Sequence, residues 1–120
     1  MIQQRNMNQN VADDSSLQIH TTVLKKAAMV FRAINHELRQ DLLKYIHKKG
    51  RVTVTEIYTD LDLLQAVASQ HLAILRKAGA VITEREGQFI YYSVNYKRLK
   101  DIDRKAVELL SSLPQMEQDN

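Results

Sequence analysis

The sequence predicts a mainly α-helical domain of the α+β class, in which one two-stranded hairpin precedes the last helix. Through most of residues 21–112, apolar side chains recur at spacings of three and four, the period of an amphipathic helix. Between residues 80 and 94 the pattern changes to two short runs rich in β-branched and aromatic residues. A length of 120 residues suits one modest domain, and an apolar fraction of 44% is enough for a core.

Two helices are predicted before residue 51. The first begins at Thr21, and its apolar side chains share one stripe: Val23, Ala27, Val30, Phe31 and Ile34. Asn35 is the predicted N-cap of the second helix, with Glu37 in a first turn where the helix dipole favours negative charge. The apolar face of the second helix consists of Leu38, Leu42, Leu43 and Ile46. Gly50 is predicted to end it.

A short third helix is predicted to begin after Thr53. Thr53 and Glu56 fit a capping box, in which each side chain accepts a hydrogen bond from the other residue's backbone N–H. The inward side chains of this helix are Ile57, Tyr58 and Leu61. A break near residues 60–63 ends it.

A longer fourth helix is predicted around Gln65–Ala78. Its core-facing residues are Val67, Ala68, Leu72 and Leu75. Gly79 is a suitable stop, because a helix often ends in a left-handed conformation that glycine adopts easily. Leu64 has no side-chain acceptor for a cap, so either Asp62 caps this helix or the helix starts differently.

The hairpin is predicted from strands at residues 80–85 and 88–94, divided by Glu86-Gly87, where Gly87 supplies the positive φ of a tight turn. Asn95 is the predicted cap of a last helix that Pro114 closes. The apolar residues of that helix form a narrow seam: Leu99, Ile102, Ala106, Leu109 and Leu110.

Composition excludes several classes of protein. With no cysteine, the chain has no disulfides, thiolate metal sites or cysteine redox switches. It shows no phosphate-binding glycine loop, nucleophile elbow or HExxH helix, so we expect no enzyme. No apolar run approaches the ~20 residues of a membrane span, and the polar N-terminus lacks a secretion signal. We expect a cytoplasmic protein with a domain over residues 19–112, a disordered tail at 1–18 and a polar tail at 113–120.

The charge distribution favours a nucleic-acid partner. The formal net charge is only +3, but residues 20–112 hold 16 Lys and Arg against 10 Asp and Glu. A basic domain between mildly acidic ends suits DNA binding, although many soluble domains carry a similar excess. A short helix, a tight break and a longer helix form a helix-turn-helix, and the hairpin that follows is placed as a wing.

Over about residues 22–110, the chain resembles the ArsR/SmtB-type winged-helix regulators of bacteria. The resemblance rests on FRAINHELRQDLLKYI and on four shorter motifs: Ser69-Gln-His71-Leu72, Leu75-Arg-Lys-Ala-Gly79-Ala-Val81, Arg85-Glu-Gly87 and Tyr91-Tyr92-Ser93-Val94. It implies a winged helix-turn-helix with N- and C-terminal dimerisation helices, and a repressor that binds palindromic DNA. The chain departs from the family at three positions. It has Glu37 where the family usually has proline, Leu64 where the family usually has Ser or Thr, and Gln70 where the family often has Arg or Lys.

The candidate DNA-binding residues lie on the fourth helix and the wing. Gln65, Ala66, Ser69 and Gln70 share the side away from the core; an amide can pair with adenine and an alanine methyl can contact thymine. The other candidates are His71, Arg76, Arg85 and Gln88. His71 is expected either to approach a phosphate or to support the turn, and Arg85 either to contact DNA or to remain solvated beside Glu84 and Glu86. Four further bases, together with Arg76, are candidate phosphate contacts or solvated charges: Lys48, Lys49, Arg51 and Lys77.

The resemblance also bears on partners and signals. The helices at 21–34 and 96–112 are expected to form a homodimer interface, or else to cover the monomer's own core. At the family's first cysteine ligand this chain has Thr53, and Asp101, Asp103 and Glu108 are more typical of surface carboxylates than of a cation site. We therefore expect no cofactor and no transition metal, and the sequence does not indicate an inducer. A winged helix that binds another protein instead of DNA remains the alternative.

Overall fold

Five helices and three short strands succeed one another in residues 16–114, the part of the chain that this computed structural model describes. They are α1 (Thr21–Ile34), α2 (Glu37–Lys49), β1 (Val52–Thr53), α3 (Val54–Asp60), α4 (Gln65–Lys77), β2 (Val81–Glu86), β3 (Phe89–Val94) and α5 (Tyr96–Ser111). The predicted mainly α fold with a hairpin wing is confirmed. Nearly all of the two predicted tails, at 1–18 and 113–120, lies outside the described residues.

Local capping chemistry sets several helix ends as predicted. The capping box at α3 is present: the Thr53 backbone N–H donates to the Glu56 carboxylate at 2.9 Å, and the Glu56 N–H donates to Thr53 Oγ1 at 3.3 Å. The Asn95 side chain caps α5 by accepting from the Arg98 N–H. Gly50 ends α2 with a φ of 88°, a conformation that a side chain would strain.

The predicted N-cap of α2 is wrong by one residue. Asn35 ends α1 instead, because its N–H donates to the Phe31 carbonyl at 2.9 Å. His36 has the extended backbone of an N-cap, and its Nδ1 accepts a hydrogen bond from the Arg39 N–H at 3.4 Å. An imidazole nitrogen therefore takes the role that the sequence assigned to an amide oxygen.

The start of α4 is now defined. Leu64 occupies the N-cap position without any side-chain cap, and the helix begins at Gln65. Asp62 does not cap it; with a φ of 56°, Asp62 lies in the turn that joins α3 to α4. The Leu63 N–H closes this turn by donating to the Tyr58 carbonyl at 2.9 Å.

The three strands form one antiparallel sheet in the order β1-β3-β2. Glu86 pairs with Phe89, so the turn consists of Gly87 and Gln88 and not of Glu86-Gly87 as predicted. Gly87 has a φ of 63° and takes the first position of the turn, where two-residue hairpins commonly need glycine. β1 was not predicted; it is two residues long and is defined only by its pairing with β3.

The core lies between α2, α3, α4 and the base of the sheet. Its largest completely buried side chains are Leu42, Ile46, Val52, Ile57, Leu72 and Leu75. Val81 and Val94 close it at the base of the hairpin. By contrast, α1 buries Ala33 alone and α5 buries Ile102 alone. No helix in the described part of the chain is long and apolar enough to cross a membrane.

Candidate nucleic-acid interface

The orientation of α4 is set by its apolar side. Ala68, Leu72 and Leu75 are fully buried against α2, α3 and the sheet, as the sequence predicts, while Val67 is half-buried. Since side chains three and four apart share one side of a helix, the opposite side of α4 must face outward. The turn at Asp62 and Leu63 holds this helix against α3 in a helix-turn-helix arrangement.

The outward side of α4 is polar and has no partner within the described part of the chain. Gln65, Ala66, Ser69 and Gln70 are all exposed, and none of their side chains makes a hydrogen bond within residues 16–114. Free amides and a hydroxyl on a rigid helix are groups that read base edges in a major groove. Side chains already hydrogen-bonded to the protein would have to break those bonds to bind DNA. The exposed side chains of α4 would not have to break any bond to residues 16–114.

Ala73 completes this exposed stripe and was missed in the sequence analysis. It lies four residues after Ser69 and three before Arg76, and it is exposed. The spacing alone indicates its position, because i, i+4 and i+7 residues share one side of a helix. Arg76 and Lys77 end the helix, both exposed and without an ion pair in the described residues.

The wing separates its charges between its two faces. Alternation along β2 puts Glu84 and Glu86 on one face and Arg85 on the other. Arg85 lies on the same face as Val81, whose side chain packs into the core. Within residues 16–114 its guanidinium makes a single long hydrogen bond, 3.5 Å to the Gly87 carbonyl. Gln88 is exposed at the turn. Arg85 is therefore not held by its two sequence neighbours.

The two wing carboxylates are held by Arg51 instead. Its Nε lies 3.5 Å from Glu84 Oε1 and one terminal nitrogen lies 2.7 Å from Glu86 Oε2. The guanidinium also stacks on Tyr91, with Cζ 3.8 Å from the ring centroid. The hydrogen bond that Arg51 donates to Glu86 raises the pKa of Arg51.

His71 lies on another side of α4, at a junction of three helices. Its Nδ1 is 3.1 Å from an Arg39 terminal nitrogen, and its ring lies 4.9 Å from the ring of His36. Arg39 is buried, and it also donates to the carbonyls of Ala33 at 2.6 Å and Arg32 at 3.1 Å. The cluster therefore ties the end of α1 to the start of α2 and to α4. A phosphate contact by His71 stays a prediction.

The charge state of His71 follows from these neighbours. Burial lowers the pKa of His71 below its ordinary value of 6.5, and the nearby His36 and Arg39 lower it further. Arginine is only a donor, so the contact with Arg39 requires Nδ1 to be the unprotonated acceptor. The neutral form of His71 is the one that fits this cluster.

The carboxylates of α5 do not gather into a metal site. Asp101 pairs with Arg104, one turn along the same helix. Across residues 16–114, no three His, Cys, Asp or Glu side chains lie close enough together to hold a metal ion.

Comparisons with known proteins agree with this geometry. A helix-turn-helix domain family matches residues 34–84. The chain is 38% identical over 72 residues to the transcriptional repressor SdpR of Bacillus subtilis, covering 60% of this chain and 79% of that one. It is 32% identical over 76 residues to the arsenic resistance transcriptional regulator ArsR1 of Pseudomonas putida, covering 63% and 59%.

The chain belongs to the ArsR/SmtB-type helix-turn-helix transcriptional regulators. It is a DNA-binding transcriptional regulator. The winged-helix fold is also that of an ArsR-like transcriptional regulator from Rhodococcus sp. RHA1, at a TM-score of 0.65 and 22% identity, over 76% of this chain and 84% of that one. The motifs on which the resemblance rests lie in this part of the fold. Ser69–Leu72 is in α4, and Leu75–Val81 runs from the end of α4 to the first residue of β2.

Proposed function

We propose that this regulator is a cytoplasmic homodimeric repressor, without enzymatic activity, that binds a palindromic operator through α4 and the wing at 81–94. The observation that carries the proposal is the stripe of unpartnered polar side chains on α4, beside a wing whose Arg85 is free of the neighbouring carboxylates. Helix-turn-helix proteins insert such a helix into the major groove and contact the backbone around it.

The roles of the side chains follow from their chemistry. Gln65 and Gln70 offer amides that pair with adenine, Ser69 is a tolerant hydroxyl, and Ala66 offers a methyl to thymine. Arg85 and Gln88 project from the wing, and Arg76 lies at the end of α4, where each can contact phosphates without reading sequence. His71 contributes less directly, because Arg39 already occupies its Nδ1.

The end helices support a dimer. On α1, the exposed fractions of Val23 and Leu24 are 63% and 58%; on α5, those of Leu109 and Leu110 are 65% and 58%. Exposed apolar side chains grouped on two elements indicate a surface that another molecule covers. A two-fold pairing of these surfaces would place two copies of α4 about one DNA turn, ~34–36 Å, apart.

Repression is supported by the relative SdpR, whose name describes a transcriptional repressor. Binding at a promoter is sufficient to exclude the transcription machinery, and it requires no second activity of the chain. The chain has no cysteine, so a thiol-based signal is not part of the proposal.

The test begins with selection of duplexes from a randomised library of roughly 30 base pairs, about three helical turns. An enriched palindrome and a strongly salt-dependent affinity are expected, because phosphate contacts release counterions. A shuffled duplex of equal composition is the control. Equal, weak binding to both duplexes would contradict the proposal and favour a protein-binding winged helix.

Two variants then separate base contacts from phosphate contacts. Gln70→Ala should relax base preference at one position of each half-site, at a cost of about 1–3 kcal/mol on the preferred base. Arg85→Ala should weaken binding to the selected and shuffled duplexes alike and lower the salt slope by about 1. Arg104→Ala, which lies on α5 and not on α4 or the wing, is the control for loss of an arginine.

A further inference from the structure

Arg51 spans the whole wing sheet from its edge. It directly precedes β1, stacks on Tyr91 of the central strand β3, and reaches Glu84 and Glu86 of the far strand β2. One side chain thus contacts residues of both β3 and β2. Isolated surface ion pairs contribute little, but a stacked guanidinium with two carboxylates forms a small network with defined geometry.

The backbone explains why Arg51 reaches this position. Gly50 turns the chain at the end of α2, and Val52 and Thr53 then pair with Tyr92 and Tyr91. Alternation puts Arg51 on the same face as Thr53, and therefore on the face of Tyr91. The wing carboxylates face the same way, since Glu84 pairs with Tyr91 and Glu86 with Phe89.

The consequence is electrostatic. Without Arg51, the wing segment 84–88 carries two carboxylates and one guanidinium, a net charge of −1. With Arg51 in place, the local charge is balanced and the two carboxylates have a partner. An element that approaches DNA with uncovered carboxylates would be repelled by phosphates.

We propose that Arg51 is a positioning residue for DNA binding: it covers the wing carboxylates and fixes the hairpin so that Arg85 meets the backbone. This inference rests on the proposed function, because it requires the wing to approach DNA. The proposed role is not a direct phosphate contact, because the Arg51 guanidinium already stacks on Tyr91 and pairs with Glu84 and Glu86.

The test is a double-mutant cycle measured on the selected duplex. Arg51→Ala should weaken binding roughly fivefold in the otherwise unchanged protein. In a Glu84→Gln/Glu86→Gln background, the same substitution should cost less than about twofold, because no carboxylate remains to be covered. An equal loss in both backgrounds would overturn the proposal in favour of direct contact.

The Arg51→Lys variant separates the effect of the positive charge at residue 51 from that of the stacked, bridging guanidinium. Lysine keeps the cation but lacks the planar guanidinium that stacks and bridges two carboxylates, so we expect a loss of roughly threefold. If Arg51→Lys binds as tightly as the unchanged protein, Arg51 acts through charge alone and the proposal fails. Arg104→Ala is the matched control, because it also removes an arginine from a surface ion pair.

A measurement without DNA tests the contact itself. In NMR spectra, the stacked Tyr91 ring should shift the Arg51 side-chain protons upfield. Tyr91→Phe should preserve this shift and Tyr91→Leu should abolish it, because only the first keeps an aromatic ring. Arg51 protons at ordinary positions in the unchanged protein would overturn the proposal.

Arg85→Ala distinguishes this failure from failure of the proposed function. If Arg85→Ala weakens binding and Arg51→Ala does not, the wing contacts DNA but Arg51 does not position it. If neither substitution matters, the wing does not contact DNA, and both the wing assignment and the role of Arg51 are wrong.

Discussion

The segment from α2 to β3 and the two end helices differ in how much of their apolar surface is buried within one chain. Among the described residues, the six largest fully buried side chains all belong to the segment that runs from α2 to α4, from Leu42 to Leu75. The end helices α1 and α5 are longer, yet each buries a single residue, Ala33 and Ile102. Their apolar residues, such as Phe31 on α1 and Val107 on α5, remain exposed.

Apolar periodicity therefore predicts the apolar face of a helix but not what covers that face. Each buried aliphatic side chain contributes about 1.5–3 kcal/mol relative to an exposed one. Residues 37–94 gain that contribution within one chain. In the proposed dimer, residues of α1 and α5 would gain most of it from the second copy, so their contribution should depend on protein concentration.

The largest expected effect is in the segment that is complete within one chain. Leu72→Ala removes a fully buried side chain from α4 and should lower the free energy of unfolding by about 3 kcal/mol, through lost burial and a cavity. Urea denaturation at fixed protein concentration measures it. Ala73→Ser, at the exposed neighbour, should change stability by less than about 0.5 kcal/mol. Equal effects of the two changes would contradict the assigned orientation of α4.

The next effect concerns the end helices. Leu110→Glu puts a charge on the exposed apolar seam of α5 and should weaken dimerisation by at least about 30-fold, roughly 2 kcal/mol. Sedimentation across a concentration series measures it. Ser111→Glu adds the same charge in the same turn, on the side away from the seam, and should leave the dimer intact. If both variants remain dimeric, the seam is not the interface.

Much of the fold was predictable because it depends on short-range chemistry. The capping box at Thr53, the glycine stop at Gly50 and the spacing of Leu72 and Leu75 each involve residues within one or two turns. The exposed stripe from Gln65 to Gln70 followed from the same spacing. The DNA-binding roles of these residues stay predictions.

The rest depends on contacts between segments far apart in sequence. β1 exists only because Thr53 pairs with Tyr91, and Arg51 meets Glu86 only because of that pairing. His36 is the N-cap of α2 because Asn35 already serves as the C-cap of α1. Residue propensities do not show which of the two helices Asn35 will cap. No local pattern in the chain indicates such contacts.

A smaller effect tests whether α3 is stable independently of dimerisation. Thr53→Ala removes half of the capping box and should lower stability by about 1 kcal/mol. The same loss is expected in the Leu110→Glu background, because both hydrogen bonds of the cap join Thr53 and Glu56 and involve no residue of α5. Thr53→Ser, which keeps the hydroxyl, should be nearly neutral in urea denaturation. A loss that appears only in the dimer would show that α3 contributes to the interface.

The smallest effect tests the junction between the two regions, where Arg39 links α1 to α2 and His71. Because burial and the neighbouring His36 and Arg39 lower the pKa of His71, the unfolded chain binds this proton more readily than the folded one. Stability should therefore rise with pH. The contribution is complete above the ordinary pKa of 6.5 and is lost as the pH falls through the lower pKa of the folded state.

Protonation of His71 should do more than add charge. It removes the acceptor that Arg39 uses and places a second cation beside the guanidinium, so α1 should loosen from α4 as the pH falls. Urea midpoints between pH 5 and 7.5 measure the slope, and His71→Gln should reduce it while His20→Gln should not. An unchanged slope in His71→Gln would show that this histidine does not couple α1 to α4 through its charge.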